Sequence, residues 1–303
     1  MTTPRRLHLP ELPLPVAIDI PPAAFQLIQD LLAERKGFTL ASYKDKCVRR
    51  RITLRIRATF CNTAEEYCRL LQEDVAELDR LFRTLTIHVS QFFRNAAMFE
   101  KLRHEVLPDL FRRCRAEDCR PLRILSVGCA GGEEPYSVAI LLRETFSAEL
   151  ERCGVQLTGI DIDPSTLETA QRGIFGEDHL KELTPAMINR FFALRENRYV
   201  LDATVKELVT FRLGDMVHDP LPEADLILCR NALIYLERAE QERVLASFAR
   251  SLPPGGVLVL GKSETLVGTS RQQFHPICIT DRIFRRPAGD GAAAELLIRE
   301  YGR

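Results

Sequence analysis

The chain has 303 residues, of which 46% are hydrophobic and 28% charged, and its 42 Lys and Arg balance 42 Asp and Glu. That length allows one large domain or two ordinary ones, and the composition is that of a soluble globular protein rather than a disordered or fibrous one. Zero net charge excludes a uniformly basic or acidic surface, and no apolar run, "VAILL" at 138–142 being typical of the longest, approaches a bilayer-spanning length.

The opening stretch "MTTPRRLHLPELPLPVAIDIPP" is too rich in proline for the apolar core of a signal peptide and reads as a flexible tail over residues 1–20. From Pro21 to about Leu85 the pattern is helical. Phe25, Ile28 and Leu32 recur at three and four, and Val48, Ile52, Ile56 and Phe60 recur at four. "TAEEYCRLLQ" opens with Thr63 as an N-cap and Glu66 in the capping-box position. Between Tyr43 and Arg57, seven Lys or Arg stand against the single acid Asp45. Wound at about 3.6 residues per turn, Lys46, Arg50 and Arg57 fall opposite the apolar stripe, and Lys44, Arg51 and Arg55 flank it. Such a run is most often a solvated face; a phosphate backbone or an acidic protein surface are the functional alternatives. Nine scattered cysteines without a CxxC pair, and six unclustered histidines, predict reduced thiols in a cytoplasmic protein and no metal site.

From Leu122 onward strands and helices alternate. "LRILSVG", "VQLTGIDID", "ELVTFRLGD", "ADLILCRN" and "GGVLVLGKSE" are the strands, and their continuous apolar character predicts a parallel sheet covered on both faces. The first strand runs into "GCAGGEE". Its glycines, Gly128, Gly131 and Gly132, do not meet the dinucleotide pattern, and Glu133 and Glu134 would repel a phosphate. The second strand ends at Asp161, where a carboxylate can accept both ribose hydroxyls, while Asp163 before Pro164 is the better helix cap. A ribose site without a phosphate site, next to acids, points to S-adenosylmethionine. A carboxylate at Glu133 or Glu134 would attract its cationic end by ~1–4 kcal/mol, although acids in a first helical turn also complement the macrodipole. Asp215 follows the third strand and suits the adenine amino group. Arg230 and Asn231 end the fourth, and Tyr235 follows four residues after Asn231. "QFHPICITDRIFRRP" predicts a closing hairpin, and residues 288–303 a mobile tail in which "AAELLIREY" can form a short helix.

The segments "LTIHVSQFFRN" (Leu85 to Asn95), "GCAGGEEPYS", "GIDIDPSTLETAQRGIF", "CRNALIYL" and "LPPGGVLVLGKSE" together resemble the chemotaxis receptor methyltransferases, the CheR-type enzymes that esterify receptor glutamates. The resemblance runs from Pro21 to Arg286 and implies an α/β fold. That fold is a Rossmann-like S-adenosylmethionine-dependent methyltransferase sheet, with an N-terminal all-helical domain and a small antiparallel β insertion. It implies a receptor-docking helical domain over 21–88, a methyltransferase domain over 89–287 and an insertion at about 189–208. By the same resemblance His88, Ser90 and Arg94 contact the cofactor, with Arg94 suited to the methionyl carboxylate beside the reacting centre. Glu133, Asp161, Asp215, Met216, Arg230 and Asn231 match the other cofactor positions, and Glu133 is preferred to Glu134 because it directly follows the last glycine. His88 and Ser90 stand where Asn and Thr are common in the family.

Tyr235 is similar in position to a tyrosine held near the transferred methyl group, where it orients rather than deprotonates. Transfer to a carboxylate needs no base, because a glutamate is already ionised near neutral pH. Lys46, Arg50, Arg51, Arg55 and Arg57 would dock on the acidic helical bundle of a chemoreceptor cytoplasmic domain, without membrane insertion. Some family members capture a receptor's C-terminal peptide on their insertion. Here the hairpin arms are 192–194 and 199–201 around "RENR", a shorter turn without their glycines, so no tethering peptide is expected. Two other classes of function are opposed by residues. A nucleic-acid methyltransferase lacks an N-P-P-Y-type or Pro-Cys motif here, and a non-catalytic cofactor-binding module would not need Arg94, Asp161, Asn231 and Tyr235 together.

Overall fold

The computed structural model describes residues 18–287, so the tails expected at either end lie outside it except for residues 18–20. Contacts divide the chain into a helical unit up to Leu85 and a larger unit that comprises Ser42–Lys44 and everything from Thr86 onward.

In the helical unit, α1 (Pro22–Lys36) buries Ala24, Ile28, Leu31 and Leu32 and stops at Gly37, whose φ of 63° suits a residue without Cβ. The second helix, α2 (Asp45–Ala58), buries Val48, Ile52 and Ile56. Phe60 does not extend that stripe: the helix has ended, Phe60 takes a φ of 60°, and its side chain is 91% exposed. Lys44 also lies outside the helix, which begins at Asp45. Thr63 caps α3 (Ala64–Glu73) by accepting the Glu66 N–H at 3.2 Å. Glu66 answers to the Asn62 N–H at 2.8 Å instead of the N-cap's own. With α4 (Val75–Thr86) comes Glu77, 1% exposed, whose carboxylate accepts Arg55 Nε and Nη2 at 2.9 and 2.6 Å, Arg80 Nη1 at 3.0 Å and the Tyr67 hydroxyl at 2.9 Å. Burial pushes the Glu77 carboxyl up, but the bonds from Arg55, Arg80 and Tyr67 outweigh it and leave the carboxyl below its ordinary value.

The larger unit begins with α5 (Ala96–Lys101) and α6 (Leu107–Ala116), joined by a π-helical stretch over Leu102–Val106. Then come β1 (Leu122–Val127), α7 (Glu133–Thr145), α8 (Ser147–Arg152), β2 (Val155–Asp161) and α9 (Pro164–Arg172). The insertion holds β3 (Ile174–Phe175), α10 (Pro185–Phe191), β4 (Phe192–Arg195) and β5 (Arg198–Leu201). Next are α11 (Ala203–Lys206), β6 (Val209–Leu213), β7 (Leu226–Cys229) and α12 (Arg238–Ser251). The unit closes with β8 (Val257–Leu260), α13 (Ser270–Gln273), β9 (His275–Cys278) and β10 (Ile283–Arg285).

Seven strands form one sheet in the order β6-β2-β1-β7-β8-β10-β9, parallel from β6 to β8 and antiparallel in the closing hairpin. Alternate strand residues feed two cores, as a two-sided sheet requires. Ile124, Leu157, Leu228 and Val259 join Val138, Leu141 and Phe111 on one face. Leu125, Ile160, Ile227 and Leu258 join Val244, Leu245 and Phe248 on the other. The chain leaves β1 toward β2 and later returns to β7 on β1's other side, so the crevice of this sheet opens at the ends of β1 and β7.

A separate antiparallel sheet runs β3-β5-β4. Its third strand comes from Ile174–Phe175, upstream of the expected insertion; two residues are too short to show periodicity. Arg195 pairs with Arg198, so the hairpin turn is only Glu196 and Asn197, at φ of 46° and 60°.

Replacing Glu77 with Ala removes the acceptor of Arg55, Arg80 and Tyr67, and should lower unfolding stability by about 3–5 kcal/mol. Because the Glu77 carboxyl is lowered in the fold, its contribution is present above the ordinary glutamate range and lost as pH falls through the lowered value. Denaturant titration at neutral pH checks this; a loss below about 0.5 kcal/mol, the usual surface-substitution effect, would contradict it.

Candidate active site

The turn after β1 is held in left-handed backbone at Gly128, Ala130 and Gly132, with φ of 72°, 48° and 88°. A Cβ on Gly132 would meet Phe211, Tyr136 and Ala170 at 3.0–3.1 Å, so only glycine fits there. The turn is pinned from β2: Gly128 and Cys129 donate to Ile160 O at 2.8 and 3.0 Å, and Ala130 N–H donates to Asp161 Oδ2 at 2.9 Å. Asp161 Oδ1 accepts the Asp163 N–H at 3.1 Å, and the side chain is almost wholly buried. Asp163 caps α9 through Oδ1, which takes both the N–H and the hydroxyl of Ser165. Its other oxygen faces His88 Nε2 at 3.7 Å, and that nitrogen is 3.6 Å from Asp161 Oδ1. Both separations exceed a hydrogen bond.

The two acids that open α7 do different work. Glu133, 1% exposed, accepts from His179 Nδ1 at 2.7 Å through Oε1. This bond holds the His179 imidazole above its ordinary value, and burial opposes it. Ser137 Oγ donates to Glu133 O at 2.6 Å and accepts the Phe93 N–H at 2.8 Å, which ties the "FFR" segment to this helix. Glu134 turns the other way. It accepts from Ser126 Oγ at 2.8 Å and from Arg230 Nη1 at 3.2 Å, and burial, against the pull of Arg230, leaves its carboxyl raised. Arg230, itself buried, also donates Nη2 to Arg94 O at 2.5 Å, while Arg94 Nη1 reaches Val89 O at 3.3 Å.

Beyond Arg230, Asn231 takes a φ of 62° and opens the short turn that carries Tyr235. Glu264, 3% exposed, accepts the N–H groups of Asn231, Leu233 and Ile234 at 2.9, 2.8 and 3.3 Å, and that of Gly261 at 2.7 Å. Asp215 accepts the Val217 N–H at 2.8 Å and pairs with His218 Nδ1 at 2.8 Å. Met216 packs against the β1–β7 core face that also holds Ile227. Ser90 and Tyr235 are half-buried. Thus Asp161, Asp163 and His88 meet at the end of β2, Glu133 sits at the start of α7, and Arg94, Glu134 and Arg230 form one linked group. The sequence reading assigned nothing to His179 or Glu264. Glu264 carried a usable signal, an acid just past an apolar strand as at Asp161; His179 carried none.

S-adenosylmethionine offers ribose hydroxyls, an ammonium and a carboxylate, and the cleft has unsatisfied groups of matching kind. His88 Nε2, Asp163 Oδ2, Glu133 Oε2 and Arg230 Nε are buried with no hydrogen-bond partner among the described residues. Acceptors at Glu133 and Asp163 and donors at Arg230 and His88 suit that ligand better than a phosphate.

On α2, Lys46, Arg50 and Arg57 are exposed along the helix, together with Leu54. Arg55 is bound to Glu77, and Arg51 Nη1 donates to Leu85 O at 2.5 Å.

The family profile described as CheR methyltransferase, all-alpha domain, matches residues 23–86, and that described as CheR methyltransferase, SAM binding domain, matches residues 88–283. The chain is 32% identical over 249 residues to chemotaxis protein methyltransferase 2 of Vibrio cholerae, covering 80% of this chain and 85% of that one. To the chemotaxis protein methyltransferase of Listeria monocytogenes it is 32% identical over 232 residues, covering 76% and 86%. An uncharacterized 104.1 kDa protein of Rhodobacter capsulatus is 32% identical over 289 residues, and there the chain spans 93% of itself but only 29% of its relative. S-adenosylmethionine is the cofactor that this match assigns to the larger unit.

If Glu133 faces the cationic end of that cofactor, His179 modulates it. A protonated His179 neutralises the Glu133 carboxylate, with Arg198 and Asp178 the other charges acting on the imidazole. As pH rises through the raised His179 value the proton leaves, and the carboxylate acts alone. His179→Gln should therefore bind cofactor about fivefold more tightly than wild type at pH 6, with the two converging at pH 9. Calorimetry at both pH values checks this, and identical affinities at pH 6 would contradict it.

Proposed function

This chain belongs to the CheR methyltransferase family, and we propose that its methyl acceptor is a glutamate side chain on the cytoplasmic helical bundle of a chemoreceptor. The name chemotaxis protein methyltransferase of its relatives supports this acceptor. The observation that carries it is the exposed cationic row Lys46, Arg50 and Arg57 on α2, inside the segment that matches the all-alpha domain. An acidic, glutamate-bearing helix surface is the complement of that row. Arg51 and Arg55 support the helix from within.

When bound, the cofactor would supply an electrophilic methyl on a sulfonium able to take the C–S bonding pair. The residues around it have positional and electrostatic tasks. Asp161 holds the ribose while also fixing the Ala130 turn. Asp163 and His88, each with a buried unpaired atom, would meet the same hydroxyls. Glu133 offsets the ammonium, and Arg230 and Arg94 serve the methionyl carboxylate end. Asp215 and Met216 would border the adenine. Tyr235, at the end of the turn from Asn231, orients the incoming carboxylate for an in-line approach. No proton changes hands, because the acceptor oxygen is already ionised. Rate comes from holding carboxylate and methyl in line and excluding water.

The insertion supports action without a receptor tethering peptide. Its turn is two residues long and takes positive φ at Glu196 and Asn197 rather than at glycine, which leaves little room for an added strand at that corner. Among the described residues no helix is long and apolar enough to cross a membrane, and the reading places the enzyme in the cytoplasm.

The test uses cofactor labelled in the methyl group with a purified chemoreceptor cytoplasmic fragment. Label should enter the protein and leave as methanol in mild alkali, the mark of a carboxyl ester. Label entering DNA or RNA instead would overturn the reading. In the same assay the double variant Arg50→Glu, Arg57→Glu should lose about tenfold or more in kcat/KM and much of its salt sensitivity, with calorimetric cofactor affinity unchanged. Unaltered transfer by this variant would contradict docking on α2.

A further inference from the structure

The turn from Asn231 to Leu236 is held on both sides of its backbone. The four amides accepted by Glu264 include three from this turn. Its carbonyls are accounted for as well. Lys44 Nζ donates to Ile234 O at 2.8 Å, the Lys44 N–H to Tyr235 O at 2.9 Å, and Gln241 Nε2 to Leu233 O and Leu236 O at 3.0 Å each. A turn of this length needs such fixing, because Asn231 holds a left-handed φ that a non-glycine residue adopts only under constraint. Gly261 is part of the arrangement: a Cβ there would stand 2.7 Å from Glu264 Oε2 and 2.8 Å from Asn231 N. Only a glycine lets the carboxylate approach both amides.

A carboxylate is suited to the task where a neutral side chain is not. It offers about four lone-pair sites on two oxygens and no donor to compete with the amides. Buried, it is compensated by those four amides. An amide side chain in its place would turn an NH₂ group toward two backbone donors. The turn would then shift, and with it Tyr235.

We propose that Glu264, assisted by Lys44, is a positioning residue for methyl transfer: it touches neither cofactor nor acceptor, and it sets the conformation of the Asn231–Tyr235 turn so that Tyr235 meets the reacting carboxylate. This rests on the reading of Tyr235 given above.

The experiment is a double-mutant cycle on the full chain with saturating labelled cofactor and the chemoreceptor fragment. Tyr235→Phe, Glu264→Gln and the double variant are compared, each shown to be folded by its circular dichroism and thermal transition. Glu264→Gln should lower kcat by about 10- to 100-fold, as small misplacements do, with KM for the fragment near wild type. The double variant should be no slower than the slower single one, because both substitutions act through the same side chain. Losses that multiply, or a wild-type kcat for Glu264→Gln, would overturn the proposal. A wild-type kcat for Tyr235→Phe would overturn the reading of Tyr235 itself and Glu264's role with it, and the variant that fails tells the two apart. Should Glu264→Gln not fold, the same cycle is run with Lys44→Met, which leaves the buried carboxylate in place. A few-fold loss, absent on the Tyr235→Phe background, is expected, and a wild-type rate or a multiplied loss would overturn the proposal.

Discussion

The turns after β1 and β7 are each bound to a buried carboxylate from a neighbouring strand end. Asp161 at the tip of β2 takes the Ala130 amide of the turn after β1. Glu264, past β8, takes three amides of the turn after β7. Glu134 links the two turns by accepting from Arg230 at the end of β7. Parallel strands present unpaired backbone groups at their ends, and in a dry interior each such group must find a partner. Here the partners are carboxyl oxygens, which can accept several amides at once, and such a bond is costly to leave half-made. The left-handed non-glycine residues of these two turns, Ala130 and Asn231, persist because these carboxylates over-determine them.

This arrangement also decides what the site receives. A crevice whose turn amides already belong to carboxylates has few donors left for a phosphate. Among the described residues, the cleft atoms left buried without a partner are His88 Nε2, Asp163 Oδ2, Glu133 Oε2 and Arg230 Nε. Such a set suits a ligand with hydroxyls, an ammonium and a carboxylate, and S-adenosylmethionine is that ligand. The adjacent acids of α7 separate into two tasks on the same principle, Glu134 holding the scaffold through Arg230 and Ser126 and Glu133 keeping an oxygen free.

Much of the fold was legible because its cause is local. The apolar strands, the glycine turn and the Asp163 cap before Pro164 each depend on a few consecutive residues. Features that depend on distant partners were not legible. Arg55 reads as part of a basic face until Glu77, 22 residues on, is found to hold it. Glu133 is preferred to Glu134 in the sequence only for following the last glycine, and its pairing with His179, 46 residues on, is invisible there. Glu264 stands just past an apolar strand, but the amides it serves lie about 30 residues earlier in the chain. Phe60 fits the helical period but falls after the helix has ended. Periodicity fixes faces, not ends.

The measurement closest to the central claim is calorimetric binding of S-adenosylmethionine to Asp161→Ala. The variant loses the acceptor proposed for the ribose at the strand tip and releases the Ala130 amide that shapes the turn. Affinity should fall by about 5- to 150-fold, the equivalent of a loss of about 1–3 kcal/mol, in a protein whose circular dichroism shows it folded. Wild-type affinity in that folded variant would contradict the assignment of this cleft.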